Sequence, residues 1–180
     1  MIKYFYILVL LFTAFVHHAW GQRELNPDDN KFMDRVYFGG NFNLQFGNVT
    51  FIDVSPLMGY MFNDKLSAGV GVTYQYLNYK FLDYQSNIYG GRIFGRHNIG
   101  QQFFALTEIE SLNVEFPKLF PTGERVWVRE WVPGVFVGGG IFQPFGRRGG
   151  VNLSALYNLT YVRGKSPYAN PWVLRAGINL

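Results

Sequence analysis

Cysteine is absent from all 180 residues. That excludes disulfides, a cysteine nucleophile, cysteine-based zinc or iron–sulfur sites and a lipid-modified cysteine at the end of a leader. Charge is scarce as well, at 16% of residues, and the basic residues are scattered along the chain, which argues against a nucleic-acid surface. No phosphate-binding loop and no metal-ligand spacing occurs, so no cofactor is expected. Beyond the first residues there is no long hydrophobic run and no convincing long amphipathic helix.

The exception is "MIKYFYILVLLFTAFVHHAWGQ". Lys3, the apolar run from Tyr4 to Val16, and the small residues Ala19 and Gly21 have the layout of a secretory signal peptide cut before Gln22. The run is shorter than the about 20 residues of a spanning helix. The expected organisation is therefore a leader over 1–21, a short periplasmic segment over 22–34 and one domain over 35–180. Losing Lys3 with the leader leaves 15 basic against 12 acidic residues, a charge of +3.

What the chain has in abundance is aromatics, at 19%, and 21 glycines. The rest of it resolves into eight alternating segments. In "RVYFGGNFNLQF", Val36, Phe38, Gly40, Phe42, Leu44 and Phe46 oppose Arg35, Tyr37, Asn41 and Asn43. The second segment sets Ile52, Val54, Met58 and Tyr60 against Asp53 and Ser55, and the third sets Val70, Val72 and Tyr74 against Ser67, Thr73 and Gln75. In the fourth and fifth, Tyr89, Ile93, Phe103 and Ile109 oppose Arg92, Phe94, Arg96, Glu108 and Glu110. The sixth opposes Trp131, Val135, Val137 and Ile141 to Glu130, Val132 and Phe136; the seventh, drawn through Tyr161, opposes Leu153 and Tyr157 to Asn152 and Ser154. In the last, Trp172, Leu174, Ala176, Ile178 and Leu180 alternate with Val173, Arg175, Gly177 and Asn179.

Which face is wet decides the class. At 16% charged, roughly forty apolar-face positions would carry about six charges by composition, yet the strand bodies carry none there. The segments mostly reach the about 9 to 11 residues of a tilted membrane-crossing strand. Aromatics gather near the stripe ends, as at Tyr60, Tyr74, Trp131 and Trp172, where interfacial girdles belong. The other face is small and polar, suited to the narrow lumen of an eight-strand barrel. These features predict an all-β, eight-stranded antiparallel up-and-down transmembrane β-barrel, with the last strand pairing the first so that no sheet edge is left open. A soluble lipocalin-like carrier is the alternative in which the same faces turn inside out.

The stretches "DVSPLMGYMFNDKLSAGVGVTYQY", "YGGRIFGRHNI" and "FFALTEIESLN", followed by a chain-terminal strand, resemble the small eight-stranded outer-membrane β-barrel proteins of Bacteroidetes-type Gram-negative bacteria. The resemblance covers nearly all of the chain after the leader. It implies a scaffold in the outer membrane, surrounded by outer-membrane lipid and lipopolysaccharide, with no active site to carry over. Trp172, Leu174, Ala176, Ile178 and Leu180 are similar to the terminal signal read by the barrel assembly machinery, departing from its commonest form by ending in Leu180 rather than an aromatic.

With the N-terminus periplasmic, the turns at "NDK", "NIGQ" and "QPFGRRG" fall in the periplasm, and "GNV" and the connections at 80–85, 117–124 and 164–170 face outside. Hairpin numbers summing to 200 place Arg92 opposite Glu108, with Arg96 one step nearer the periplasm; Asp53 faces Asn43. The expected polar lumen cluster is Arg92, Arg96, Glu108, Glu110, Asp53 and Arg175, chiefly filling space and balancing charge, or else gating a narrow channel for ions or small solutes. His97 is the only histidine after the leader and has no nucleophile and carboxylate beside it, so an enzyme acting on lipid A is not expected. Pro56 and Pro133 each cost a ladder hydrogen bond or mark a bulge. The expected function is a structural or interaction role at the cell envelope, as a monomer with a packed polar lumen.

Overall fold

A computed structural model describes residues 32–45, 49–79, 84–119, 125–145, 149–168 and 170–180. The leader 1–21 and nearly all of the 22–34 segment lie outside the described residues, as do Phe46 and the "GN" of the first connection. A single 3-10 turn, Phe32–Arg35, leads into eight strands: β1 Val36–Gln45, β2 Val49–Met61, β3 Leu66–Tyr79, β4 Tyr84–Ile99, β5 Phe103–Leu119, β6 Arg125–Phe145, β7 Gly149–Asn158 and β8 Trp172–Asn179. All neighbours are antiparallel, and the order β1 to β8 closes into a barrel. Arg35, expected to open the first strand, belongs to the 3-10 turn instead.

Alternation dictates the wall. Phe38, Met58, Val72, Ile93, Ile109, Ile141, Leu153 and Ile178 are all exposed on the outside, while Ser67, Gln75, Arg92, Glu108, Glu110, Asn152 and Ser154 are buried within. Outward aromatics pair near the strand ends. Tyr89 meets Trp131 edge-on at 6.2 Å and Tyr157 meets Trp172 at 5.1 Å at one end, while Phe32 stacks on Tyr60 at 5.0 Å at the other.

Closure is made by glycine. Gly39, Gly40 and Asn41 pair Asn179, Ile178 and Gly177, and Phe38 and Leu180 exchange backbone bonds of 3.3 and 2.7 Å. A Cβ on Gly39 would stand 2.6 Å from the carbonyl of Ile178, and one on Gly177 would stand 2.7 Å from that of Gly40. From Gly177 to Leu180 the last strand's backbone therefore has its partner on the first, whereas the expected pairing along the whole strand does not extend to residues 172–176.

Several boundaries differ from expectation. Strand β5 runs through Pro117, which pairs Trp127, rather than ending before it. The last β4 partner of β5 is Asn113, so one edge of β5 is open at Pro117 and a missing N–H is tolerated. Strand β7 stops at Asn158 rather than Tyr161. The Asn158 side-chain oxygen accepts from the backbone N–H and the hydroxyl of Thr160, both at 3.0 Å, and this local bonding turns the chain out of the ladder. The β4–β5 register is also shifted by two: Gly100 takes φ +67° and opens a three-residue turn, so Ile99 faces Phe103 and Arg92 lies opposite Glu110.

The two prolines behave differently from each other. Across from Pro56 the β2–β3 ladder skips from Val54–Tyr74 to Leu57–Gly71 with its register unchanged, so a bond is lost without a bulge. Pro133 sits on β6 beyond the end of β7. Two residues away, the Val135 N–H already turns to Thr160 Oγ1 at 3.1 Å, and by alternation Pro133 has its missing donor on that same edge.

Candidate functional site

The lumen is layered, not uniformly polar. This corrects the expectation of a packed polar interior: inward positions also carry Phe94, Phe104, Leu112, Phe136, Phe142 and Leu156, all buried. An eight-strand lumen is just wide enough for side chains to fill, and where an inward position carries no charge an apolar group fills it at lower desolvation cost.

At the end holding the β2–β3, β4–β5 and β6–β7 turns, Arg96 lies over the Phe104 ring at 4.0 Å and faces Phe142 at 5.3 Å. Its Nε donates to Asn98 Oδ1 at 3.0 Å. The guanidinium is thus wedged between aromatics from β5 and β6, and the space beside it is only about 40 Å³.

Above this layer stands the ion-paired centre. Arg175 Nη1 meets Glu108 Oε1 at 2.6 Å and Arg175 Nη2 meets Glu110 Oε2 at 3.5 Å. Arg92 Nη1 reaches Glu108 Oε2 at 3.8 Å and Nη2 donates to the Ser55 carbonyl at 3.0 Å. With the amide oxygen of Asn41 turned toward Arg92, it accepts from both Nη atoms at 3.1 and 3.0 Å. Two cations and two anions therefore cancel in a space where an unmatched charge would be costly. The Arg92–Glu108 contact inferred from sequence exists, but as a diagonal contact across the two-residue register shift.

Asp53 lies apart from that centre. It is opposite Asn43 in register, and its carboxylate accepts from Ser55 Oγ at 2.5 Å and Gln75 Nε2 at 3.2 Å. Of the six expected lumen residues, Arg92, Glu108, Glu110 and Arg175 come together, Arg96 forms the lower layer and Asp53 lines an upper cavity of about 750 Å³. Trp172, Leu174, Ala176 and Ile178 are exposed on or beside the outward face of β8, and Leu180 closes the seam onto Phe38.

Sequence reasoning missed Tyr168. The connection expected to face outside over 164–170 instead brings Tyr168 inward, where its hydroxyl donates to Glu110 Oε1 at 2.7 Å and accepts from Arg175 Nη2 at 3.4 Å. Its ring meets Phe136 edge-on at 5.5 Å. Loss of hydration, reinforced by the Glu110 carboxylate, pushes this hydroxyl well above the ordinary tyrosine range. The one signal available was a large aromatic in a connection otherwise made of Gly, Lys, Ser, Pro, Ala and Asn.

His97 lies exposed, between Leu66 and Ala105 in register. Among the described residues, no group of His, Asp and Glu is arranged to hold a metal ion. No helix among them is long and apolar enough to cross a membrane, which has no bearing on a β-barrel.

No family model matches the chain, and no curated protein matches it. Among solved structures, the chain is similar to the N-terminal β-barrel domain of Pseudomonas aeruginosa OprF, at 10% identity over 81% of this chain and 96% of that one, with a TM-score of 0.48.

Proposed function

We propose that this protein is a monomeric outer-membrane β-barrel, exported by its leader, with a structural or interaction role at the envelope and no open path through its lumen. The observation that carries the reading is the inversion of the wall. Ile93, Ile109 and Leu174 face out beside Arg92, Glu108, Glu110 and Arg175, which face in. A soluble barrel would reverse that arrangement, because an apolar outer belt in water forfeits the hydrophobic driving force. The paired aromatics near the strand ends suit the two membrane interfaces.

In this reading the wall contacts outer-membrane lipid and lipopolysaccharide. The β1–β2, β3–β4, β5–β6 and β7–β8 connections lie outside the cell, and Trp172 to Leu180 are read by the barrel assembly machinery. The Arg96, Phe104 and Phe142 layer blocks passage on the periplasmic side. Chemistry on lipid A is not part of the reading, since His97 is on the outer wall with no catalytic neighbours identified.

Vesicle flotation combined with a solute-swelling assay tests both halves. The refolded protein is expected to float with phosphatidylcholine vesicles after a urea wash and to leave them impermeable to small sugars. Recovery in the soluble fraction would contradict the membrane assignment, and swelling would favour the narrow channel.

A further inference from the structure

The seam between β1 and β8 is zipped over only part of its height. Register pairing ends at Asn41–Gly177, although β1 continues to Gln45 and β8 begins at Trp172. Both strands stay ordered above that point. β1 remains paired to β2 as far as Gln45–Phe51, and β8 to β7 as far as Tyr157–Trp172. Among the described residues, the two facing edges therefore have no register partner in each other over residues 42–45 and 172–176.

The upper cavity opens at this place. Its lining includes Asn41 and Phe42 from β1 and Leu174, Arg175 and Ala176 from β8, so it reaches from the lumen to residues on the outer wall. Phe42 and Leu174 are exposed there, Leu174 at 75%. Its inward lining carries Asp53, Thr73, Gln75 and Arg92 beside Phe51, Leu77 and Ile88. Thr73 Oγ1 is buried and has no hydrogen-bond partner among the described residues.

We propose that this gap is a lateral doorway, through which the cavity takes the uncharged, hydroxyl-bearing head of a single-chain amphiphile from the surrounding lipid while its chain stays against Phe42 and Leu174. The proposal rests on the membrane reading above. In hydrocarbon, unpaired strand edges are costly, and here both N–H and C=O groups stand at the opening. A hydroxyl answers both, because it donates and accepts. Charge selects the same class. Asp53 and Glu110 face Arg92 and Arg175 around the cavity, so these charges sum to zero and nothing offsets the desolvation of a charged head, a cost that a neutral polyol does not carry. The cavity's about 750 Å³ is within the size range of small-molecule sites.

Two measurements on the full-length mature protein in micelles of dodecyldimethylamine oxide, whose head bears no hydroxyl, test this. Because the chain has no cysteine, pairs can be introduced cleanly. Phe38→Cys/Leu180→Cys, in the zipped part, is expected to oxidise to a disulfide, and Leu44→Cys/Leu174→Cys, at the same register above it, is not. Native mass spectrometry then counts retained ligand. Octyl glucoside is expected to stay bound one per barrel, in preference to octyl sulfate and octyltrimethylammonium, while free glucose does not. Thr73→Val/Gln75→Leu is expected to lower retention about tenfold through lost hydrogen bonds. Ala176→Trp, on the outer wall and so independent of the lumen's packing, is expected to lower it by filling the doorway.

Oxidation of both cysteine pairs at equal rates would overturn the doorway. Retention indifferent to head group or to Ala176→Trp, or glucose held as well as octyl glucoside, would overturn the lateral amphiphile site. Folding to a monodisperse state in buffer without detergent would instead overturn the membrane reading, whatever is retained.

Discussion

Arg175 on β8 and Glu108 on β5 hold each other at 2.6 Å across the lumen, although their strands are not neighbours in the sheet. This contact braces the closing strand against the opposite wall. It also explains why Arg175 can interrupt an otherwise uncharged terminal strand, since Glu108 and Glu110 both face it.

Breaking that brace from one side is expected to destabilise the barrel by about 3 kcal/mol, because the remaining buried charge loses its partner. Glu108→Gln and Arg175→Met should each do so, and the double variant should recover much of the loss. Urea titrations of the four proteins in one lipid system would show the non-additivity. Equal, additive losses would mean the charges do not depend on each other.

Closure of the β1–β8 seam depends on missing side chains. Gly177→Val places a Cβ against Gly40 and Asn41, and is expected to cost about 1 to 3 kcal/mol by overpacking and to lower the folded fraction. Gly91→Ala is the control, since the nearest atom to its added Cβ is the Gly71 carbonyl oxygen at 3.7 Å. Folding yields measured side by side should separate the two.

The aromatic layer at Arg96 is expected to be the barrier to flow. Phe104→Ala/Phe142→Ala removes both rings that flank the guanidinium, and single-channel recordings in planar bilayers should show conductance steps absent from the unaltered protein. Steps in both proteins would move the barrier elsewhere or remove it.

Tyr168 gives a pH-dependent anchor. Its folded hydroxyl titrates above the ordinary value of 10.0, so the folded state holds the proton more tightly than the unfolded chain. Its contribution should be full at neutral pH, begin to fall above about pH 10, and go on falling as the pH rises toward the higher folded value. Stability of the unaltered protein relative to Tyr168→Phe, followed from pH 7 to 11, should decline only at the alkaline end. A difference constant across that range would show the hydroxyl is not withdrawn from water.

Alternation made the strand faces legible: once Ile93 and Ile109 share a side, Arg92 and Glu110 must share the other. Register was not legible to the same degree. A slip of two residues keeps every side chain on its face, so nothing in the pattern separated a turn centred on Gly100 from the three-residue turn it opens. The end of β7 depends on side-chain bonds between Asn158 and Thr160, which periodicity does not register. Tyr168 lies in a segment with no period at all, and its place is set by Glu110, 58 residues away. The incomplete seam was beyond reach for a related reason, since the β1–β8 pairing is the most distant in the chain.

The most direct test of an outward apolar wall around an ion-paired lumen is gel migration of the mature protein refolded in detergent, boiled and unboiled, beside a sample refolded in buffer alone. A heat-dependent shift seen only with detergent is the expected result. A folded, monodisperse protein in plain buffer would contradict it, and would mean that Phe38, Val72, Ile109 and Leu174 are not facing lipid.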